Sequence, residues 1–365
     1  MQIIESTLSY YKSKRVFQGL DGLRFFSILA VVWHHSVEDV NFLQVLNMGY
    51  LGVDLFFVIS GFLIVTLLLR EREKTKSISL KMFYMRRSLR IFPLYYGFII
   101  AMAFYYLFVN SHSEFGNEFI KDLPIYLFYL TNFIPVGMTI MWSLASEEQF
   151  YLIWPFFEKY FKNKILKILI VLIIINQVIN FYGEEIFYSI GLSHLSELSI
   201  IQTTFTPILL GVLLAHVLHK KLLPDLFYIL IIHKYQALVW LSCIIALCSF
   251  TTGDIAGLTR LSIQILMMLL VASVVINDNT ILSRILTFKP IERIGKISYG
   301  VYIFHIYAIV VAERILDGLG YDNNLLLFIL SFIIVVVASE FSYRYYEMPF
   351  LKLKEKFSII NTKHI

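Results

Sequence analysis

A succession of apolar runs, each close to the length a helix needs to cross a lipid layer, constrains this chain more than any other feature. A hydrocarbon core about 30 Å thick takes about 20 helical residues. About ten such runs are legible, at residues 23–38, 49–69, 91–109, 140–158, 167–182, 199–217, 237–252, 258–276, 297–312 and 325–343. They do not alternate polar with apolar, as the strands of a membrane barrel would. The composition agrees, with 58% hydrophobic against 16% charged residues over 365 positions. The expected fold is therefore an all-α integral membrane protein, a bundle of about ten transmembrane helices.

Charge placement orients the bundle. If the N-terminus is cytoplasmic, the even-numbered connections and the C-terminal tail are cytoplasmic too, and these hold the basic clusters at 70–90, 159–167, 220–234, 284–296 and 352–363. Of 31 lysines and arginines, only Lys121, Arg260 and Arg314 fall in the opposite connections. That asymmetry is the positive-inside pattern, and it predicts that both termini are cytoplasmic. The outer connections carry Glu38, Asp39, Glu114, Glu118, Asp122, Glu184, Glu185, Asp254, Glu313, Asp317 and Asp322. The +5 net charge thus follows topology and gives no reason to expect a nucleic-acid partner. Residues 123–133 are apolar but too short to span, and Pro124 and Pro135 bracket them, so they are expected at the outer surface or as a re-entrant turn.

Residues 1–20 are polar, carry Lys12, Lys14 and Arg15, and show no cleavable leader pattern, so the first span is expected to stay in the membrane. The expected organisation is one membrane domain, 1–365, with a cytoplasmic tail at 1–20, a helical core at 21–347 and a second cytoplasmic tail at 348–365. Cys243 and Cys248, within one apolar run, give neither a disulfide framework nor zinc spacing, and no metal site is expected.

The polar residues inside the runs are the candidates for chemistry, since such groups are costly in lipid. Arg24 and His35 lie eleven positions apart. In a helix that spacing brings them to within roughly 20° of each other and about 16 Å along the axis, while His34 points about 80° away from Arg24. Given the orientation, Arg24 is at the cytoplasmic end of the first span and His35 toward its outer end. Asp54 lies near the outer end of the second span, and Glu147 and Glu148 near the outer end of the fourth. A histidine with carboxylates at matching depth suits general-base chemistry on an alcohol, because imidazole titrates near neutrality and a carboxylate orients it. Asp54 equally suits a helix-terminal residue satisfied by backbone amides. Arg87 and Arg90, at i and i+3, point the same way on a helix and could with Arg24 grip phosphates; a plain positive-inside stop predicts the same residues. His305, mid-span in the ninth run, fits an interhelical hydrogen bond slightly better than a direct chemical role. Glu340, Arg344 and Glu347 are expected to form an inner-surface ion-pair set. Gly49, Gly52 and Gly61 read as points of close helix approach.

Taken in order, these pieces resemble the acyltransferase 3 family of integral membrane acyltransferases. The resemblance rests on Asp21-Gly-Leu-Arg24 with His35 eleven beyond the arginine, Gly52-Val-Asp-Leu-Phe-Phe-Val-Ile-Ser-Gly-Phe-Leu-Ile64, Arg87-x-x-Arg90, and Trp142-Ser-Leu with Glu147-Glu-Gln-Phe-Tyr151. It continues through Gly295-Lys-Ile-Ser-Tyr-Gly300 to His305, and ends at Tyr346-Glu-Met-Pro-Phe350. Met348 stands where many relatives have arginine, which bears only on an inner-surface contact. The resemblance implies O-acyl transfer, most often of acetyl, from cytoplasmic acyl-coenzyme A to a hydroxyl of a surface polysaccharide, lipid-linked glycan or small molecule outside. It also implies a multi-pass protein of a bacterial plasma membrane, with acyl-coenzyme A as cosubstrate and no bound cofactor. By matched position, His35 is the base, Arg24 its same-helix partner, Arg87 and Arg90 the donor-side arginines, and Glu147 the carboxylate of the Ser143-x-x-x-Glu147-x-Gln149 pattern, with Glu148 in the free position. Some relatives carry an extracellular SGNH-type hydrolase domain after the membrane part; none is expected within this chain.

A thioester is already activated, so the protein has mainly to orient an alcohol, take its proton and stabilise an oxyanion. Glu147 or Asp54 would orient His35, with direct transfer expected and an acyl-enzyme relay as the mechanistic rival. Export of a glycan or small molecule is the rival function, and it predicts broken helices in corresponding halves of the chain. A nonenzymatic membrane partner of a synthase predicts that His35→Ala leaves acylation intact.

Overall fold

The protein is described by a computed structural model covering residues 2–37, 44–191, 205–251, 255 and 257–358. The described residues form helices joined by turns and short irregular segments, and contain no strand. The helices are α1 Gln2–Ser13, α2 Leu20–Ser36, α3 Leu51–Thr75, α4 Leu80–Phe104, α5 Glu114–Lys121, α6 Leu123–Leu127, α7 Met141–Tyr160, α8 Ile165–Ser189 and α9 Thr206–Lys220. They continue as α10 Asp225–Ile232, α11 Gln236–Phe250, α12 Gly257–Ile276, α13 Ser283–Leu286, α14 Lys289–Lys296, α15 Ser298–Gly318, α16 Asn324–Ser342 and α17 Met348–Glu355.

Each apolar run read from the sequence falls on a helix, although the first residues of the 199–217 run lie outside the described residues. Six helical segments among the described residues are long and apolar enough to cross a membrane alone: Leu51–Thr75, Leu80–Val109, Ile165–Gly183, Gly257–Ile276, Ser298–Gly318 and Asn324–Glu355. A seventh would come from α9 and α10 together, bent by 108°. The helices over the remaining runs are shorter, like α2 and α11, or more polar, like α7 with Glu147, Glu148 and Glu158. Side chains start several helices where the sequence supplies a cap: Ser79 Oγ accepts from Met82 N, Ser113 Oγ from Gly116 N, and Asn323 Oδ1 from Leu326 N.

The chain forms two compact units. The first comprises residues 1–69, 207–346 and 360–365. Here α2 packs against α14, α15 and α16, and α15 lies along α16. On α16 the exposed Ile329, Ile333, Val337 and Phe341 form an i, i+4 stripe while Ser331, Val335 and Ser339 are buried, as suits a helix with one face in lipid. Glycines set the closest approaches. A Cβ on Gly49 or Gly52 would meet the Ala30 and Ser27 carbonyl oxygens of α2 at 2.1 and 2.3 Å, and one on Gly61 would meet Ile208 O at 2.1 Å. Their role is packing, as expected. Lys14, with its side chain 4% exposed, donates to Val275 O and Asp278 Oδ1 and ties α1 to the end of α12. Burial pushes its ammonium below the ordinary lysine range, and the bond to Asp278 opposes that shift.

The second unit comprises residues 70–206 and 347–359. Within it, α4 packs against α6, α7 and α17. Glu71, whose side chain is 2% exposed, accepts from Arg86 at 2.9 Å and from Ser79 N at 2.7 Å. Arg72 pairs with the fully buried Glu158 at 3.6 Å. Residues 123–133 form α6 and turns, and the buried Tyr126 Oη accepts from Met138 N at 3.1 Å. Burial pushes the Tyr126 phenol up to about 12.

Candidate functional site

In the first unit, α2 is a regular helix from Leu20 to Ser36, so Arg24 and His35 share a face as the spacing predicts. Arg24 Nη1 donates to Asp21 Oδ1 at 2.7 Å, which joins the first and last residues of the Asp-Gly-Leu-Arg motif. The two histidines diverge as expected. His34 turns to Tyr50, with ring centroids 5.5 Å apart, whereas His35 faces His305 of α15 at 5.1 Å. His35 is exposed; His305 is fully buried. His305 Nδ1 lies 2.5 Å from the Tyr302 carbonyl oxygen, and a carbonyl can only accept, so Nδ1 carries the proton.

Asp54 is 1% exposed on α3. Its carboxylate accepts from Arg260 Nε and Nη2, both at 3.1 Å, and from Gln264 Nε2 at 2.9 Å. The helix-terminal reading of Asp54 looked to backbone amides; the partners seen are two side chains of α12. Among the outer-side cations read from the sequence, Arg260 therefore has a specific role, tying α12 to α3.

In the second unit, Arg87 and Arg90 lie one turn apart on α4. The Arg87 guanidinium stands 5.1 Å from the Tyr151 ring and 5.9 Å from the Phe83 ring. Tyr151 Oη donates to Glu147 Oε1. Glu148 interacts electrostatically with both Glu147 and Arg87, and the charges of Arg86, Arg87 and Arg90 act together on Lys354 of α17. A half-buried cation on an aromatic face with carboxylates beside it, joined by further basic groups, is suited to an anionic ligand with a planar or phosphate end. Ser143 is buried and its Oγ donates to Ile140 O at 3.3 Å. Gln149 exchanges both amide hydrogen bonds with Asn132 at 2.8 Å and donates to Tyr129 O at 2.8 Å.

The sequence-derived candidates thus fall into a histidine group in the first unit, Arg24, His35 and His305, and an arginine–carboxylate group in the second, Arg87, Arg90, Glu147 and Glu148. Asp54 joins neither; its oxygens belong to Arg260 and Gln264. Sequence reasoning missed Tyr151, Asn132, Glu71 and Arg86. Tyr151 was within reach, because Glu147 and Tyr151 are i and i+4 on one helix. Of the expected set Glu340, Arg344 and Glu347, Glu340 pairs with Arg344 and also accepts from Arg293 at 2.9 and 3.0 Å. Among the described residues no group of three or more His, Cys, Asp or Glu side chains could hold a metal ion.

Comparison with known proteins gives one family model, an acyltransferase domain, matching residues 17–343. The chain is 30% identical to a peptidoglycan O-acetyltransferase of Listeria monocytogenes over 93% of its own length and 56% of that protein. It is 29% identical to a Staphylococcus aureus protein provisionally named as an O-acetyltransferase, over 94% of this chain and 58% of that protein. A Bacillus subtilis protein with the provisional name of a peptidoglycan O-acetyltransferase is 28% identical, over 93% of this chain and 56% of that one. The chain therefore spans little more than half the length of these relatives. No solved structure matches.

Proposed function

Because this chain belongs to the acyltransferase domain family and is a multi-pass membrane acyltransferase, we propose that it moves an acetyl group from acyl-coenzyme A on the cytoplasmic side to a hydroxyl of an extracytoplasmic glycan, with peptidoglycan the first acceptor to test. The names of the Listeria and Bacillus relatives support that acceptor. The observation that carries the reading is α2 itself: one rigid helix bears a motif arginine and, on the same face about 16 Å along, an exposed histidine. His35 is the general base on the acceptor hydroxyl. Arg87 and Arg90 bind the donor's phosphates, with Arg24 as a further donor-side cation. Glu147, held by Tyr151, is the carboxylate of the Ser143 to Gln149 pattern. Asp54, with its oxygens taken up by Arg260 and Gln264, holds α3 to α12 rather than orienting the base. The topology that goes with this is ten spans with both termini in the cytoplasm, supported by the basic clusters of the even-numbered connections.

Mass spectrometry of cell-wall glycan from cells expressing the wild type or His35→Ala tests the reading: loss of the acetyl mass shift is expected in the variant, and an unchanged shift removes His35 as base. Labelled acetyl-coenzyme A supplied to inside-out vesicles tests donor sidedness. Double Gln replacement of Arg87 and Arg90 should raise the donor KM by about tenfold or more, the equivalent of one lost charge-assisted bond; an unchanged KM assigns them to topology alone. Export predicts breaks in corresponding halves of the chain; the described residues contain one, between Lys220 and Asp225.

A further inference from the structure

His305 has an unusual environment for a packing residue. Its side chain is fully buried, its Nδ1 proton is committed to the Tyr302 carbonyl oxygen, and its Nε2 has no hydrogen-bond partner among the described residues. A buried acceptor left unsatisfied costs about 1–3 kcal/mol, and such groups concentrate where function needs them. With Nδ1 protonated, Nε2 holds a bare lone pair. The ring faced by His305 at 5.1 Å is His35. With each ring nitrogen about 1.1 Å from its centroid, that separation accommodates an in-line N–H···N bond of about 2.9 Å, the ordinary length. The two rings are now tilted by 45°. His35 is exposed, whereas His305 is fixed by Tyr302 and burial, so alignment would come from a turn of the His35 ring. Catalytic hydrogen bonds are commonly completed only when substrate binds.

From this geometry we infer that His305 is a positioning residue for His35: its Nε2 accepts an N–H of His35, which fixes the tautomer and leaves the other His35 nitrogen bare toward the acceptor hydroxyl. The inference rests on the reading of His35 as base. In the transfer step, the hydroxyl proton passes to that bare nitrogen as the hydroxyl oxygen bonds to the acyl carbon of the thioester. The carbon–sulfur bond breaks, the thiolate leaves, and the imidazolium proton returns to sulfur. His305 gains and loses no proton; it holds the His35 N–H throughout. A neutral imidazole thus takes the place that the sequence reading gave to a carboxylate, and it does so without placing a second charge in the membrane interior.

Two substitutions separate positioning from packing. His305→Phe keeps a ring of similar size and removes the acceptor, whereas His305→Gln keeps an acceptor oxygen. In purified protein in nanodiscs, His305→Phe should lower kcat about 10²-fold, the low end of what a positioned general base supplies, with donor KM unchanged; His305→Gln should recover to within about tenfold of wild type. Carbethoxylation of His35 by diethylpyrocarbonate, read by peptide mass spectrometry with His34 as internal reference, should slow several-fold in the Phe variant and not in the Gln variant, because the bond to His305 enriches the free nitrogen. His305→Leu substitutes for Phe if that ring is not accommodated. Wild-type kcat and His35 reactivity in the acceptor-free variant would overturn the inference, as would equal losses in the Phe and Gln variants with altered KM. If His35→Ala retains acetylation, the base assignment fails by itself, while the carbethoxylation comparison still decides whether His305 holds His35.

Discussion

Arg260→Met should be among the most damaging single changes in the first unit of this protein. Asp54 is 1% exposed and the Arg260 side chain 14%, and the guanidinium makes two bonds of 3.1 Å to the carboxylate. Removing the arginine leaves a buried carboxylate with Gln264 as its remaining partner of the two. Breaking a buried pair from one side costs about 3–5 kcal/mol, mostly the penalty of the stranded charge. Replacing both members by apolar residues removes that penalty. The Asp54→Leu, Arg260→Met double variant gives up the Gln264 bond as well, about 1–3 kcal/mol, offset by the desolvation no longer required. It should therefore lie within about 2 kcal/mol of wild type. Unfolding in mixed micelles followed by circular dichroism measures all three stabilities, and glycan acetylation is read on the same variants. If the pair is a tie between α3 and α12, the double variant regains both stability and acetylation. A single Arg260→Met variant as stable as wild type would refute the energetics. A double variant that is stable yet inactive would return Asp54 to the catalytic machinery.

Gly61→Val should give little folded protein in size-exclusion chromatography, since its Cβ would lie 2.1 Å from Ile208 O and backbone cannot yield; Gly318→Ala, with nothing within 4 Å, is the neutral control. Lys14→Ala deletes the bonds to Val275 O and Asp278, so hydrogen exchange should rise across residues 2–13 while exchange in α12 changes little. Tyr151→Phe removes the hydroxyl bonded to Glu147 and keeps the ring under Arg87. Donor KM should then rise about tenfold, or ~1.4 kcal/mol, and Tyr151→Leu should raise it further by removing the cation–π face; unchanged KM in both would separate Tyr151 from donor binding.

The range of each interaction explains how much could be read from the sequence. Helix existence depends on runs of neighbouring residues, so each apolar run falls on a helix among the described residues. The shared face of Arg24 and His35, and the divergence of His34, depend only on the rigidity of one helix, and both were legible. Partnerships across the fold were not. Asp54 meets Arg260 at a separation of 206 residues, and periodicity on either helix carries no information about which helices cross. The pairing of Glu71 with Arg86 was hidden differently, inside a basic stretch where each arginine had an adequate explanation in topology. Reading Asp54 as a helix-end carboxylate failed to anticipate its partners because caps are local, whereas this site is built by a second helix.

The motif glycines bear on catalysis through the same distinction. Gly22, in the first turn of α2, admits α13, where a Cβ would come within 2.3 Å of Leu286 O; Gly295 of α14 meets the same turn, where a Cβ would lie 1.8 Å from Asp21 O; and Gly49 and Gly52 meet the middle of α2 at Ala30 and Ser27. Four glycines thus remove the side chains that would hold neighbouring backbone away from one helix, and that helix carries both Arg24 and His35. A base works through placement to within a fraction of an ångström, which rigid elements supply better than loops do. Gly52→Ala would separate α3 from α2 without touching any polar group. If the clasp positions the base, it should lower kcat more than it lowers the stability of the protein in micelles, and a loss confined to stability would show that the glycines serve assembly alone.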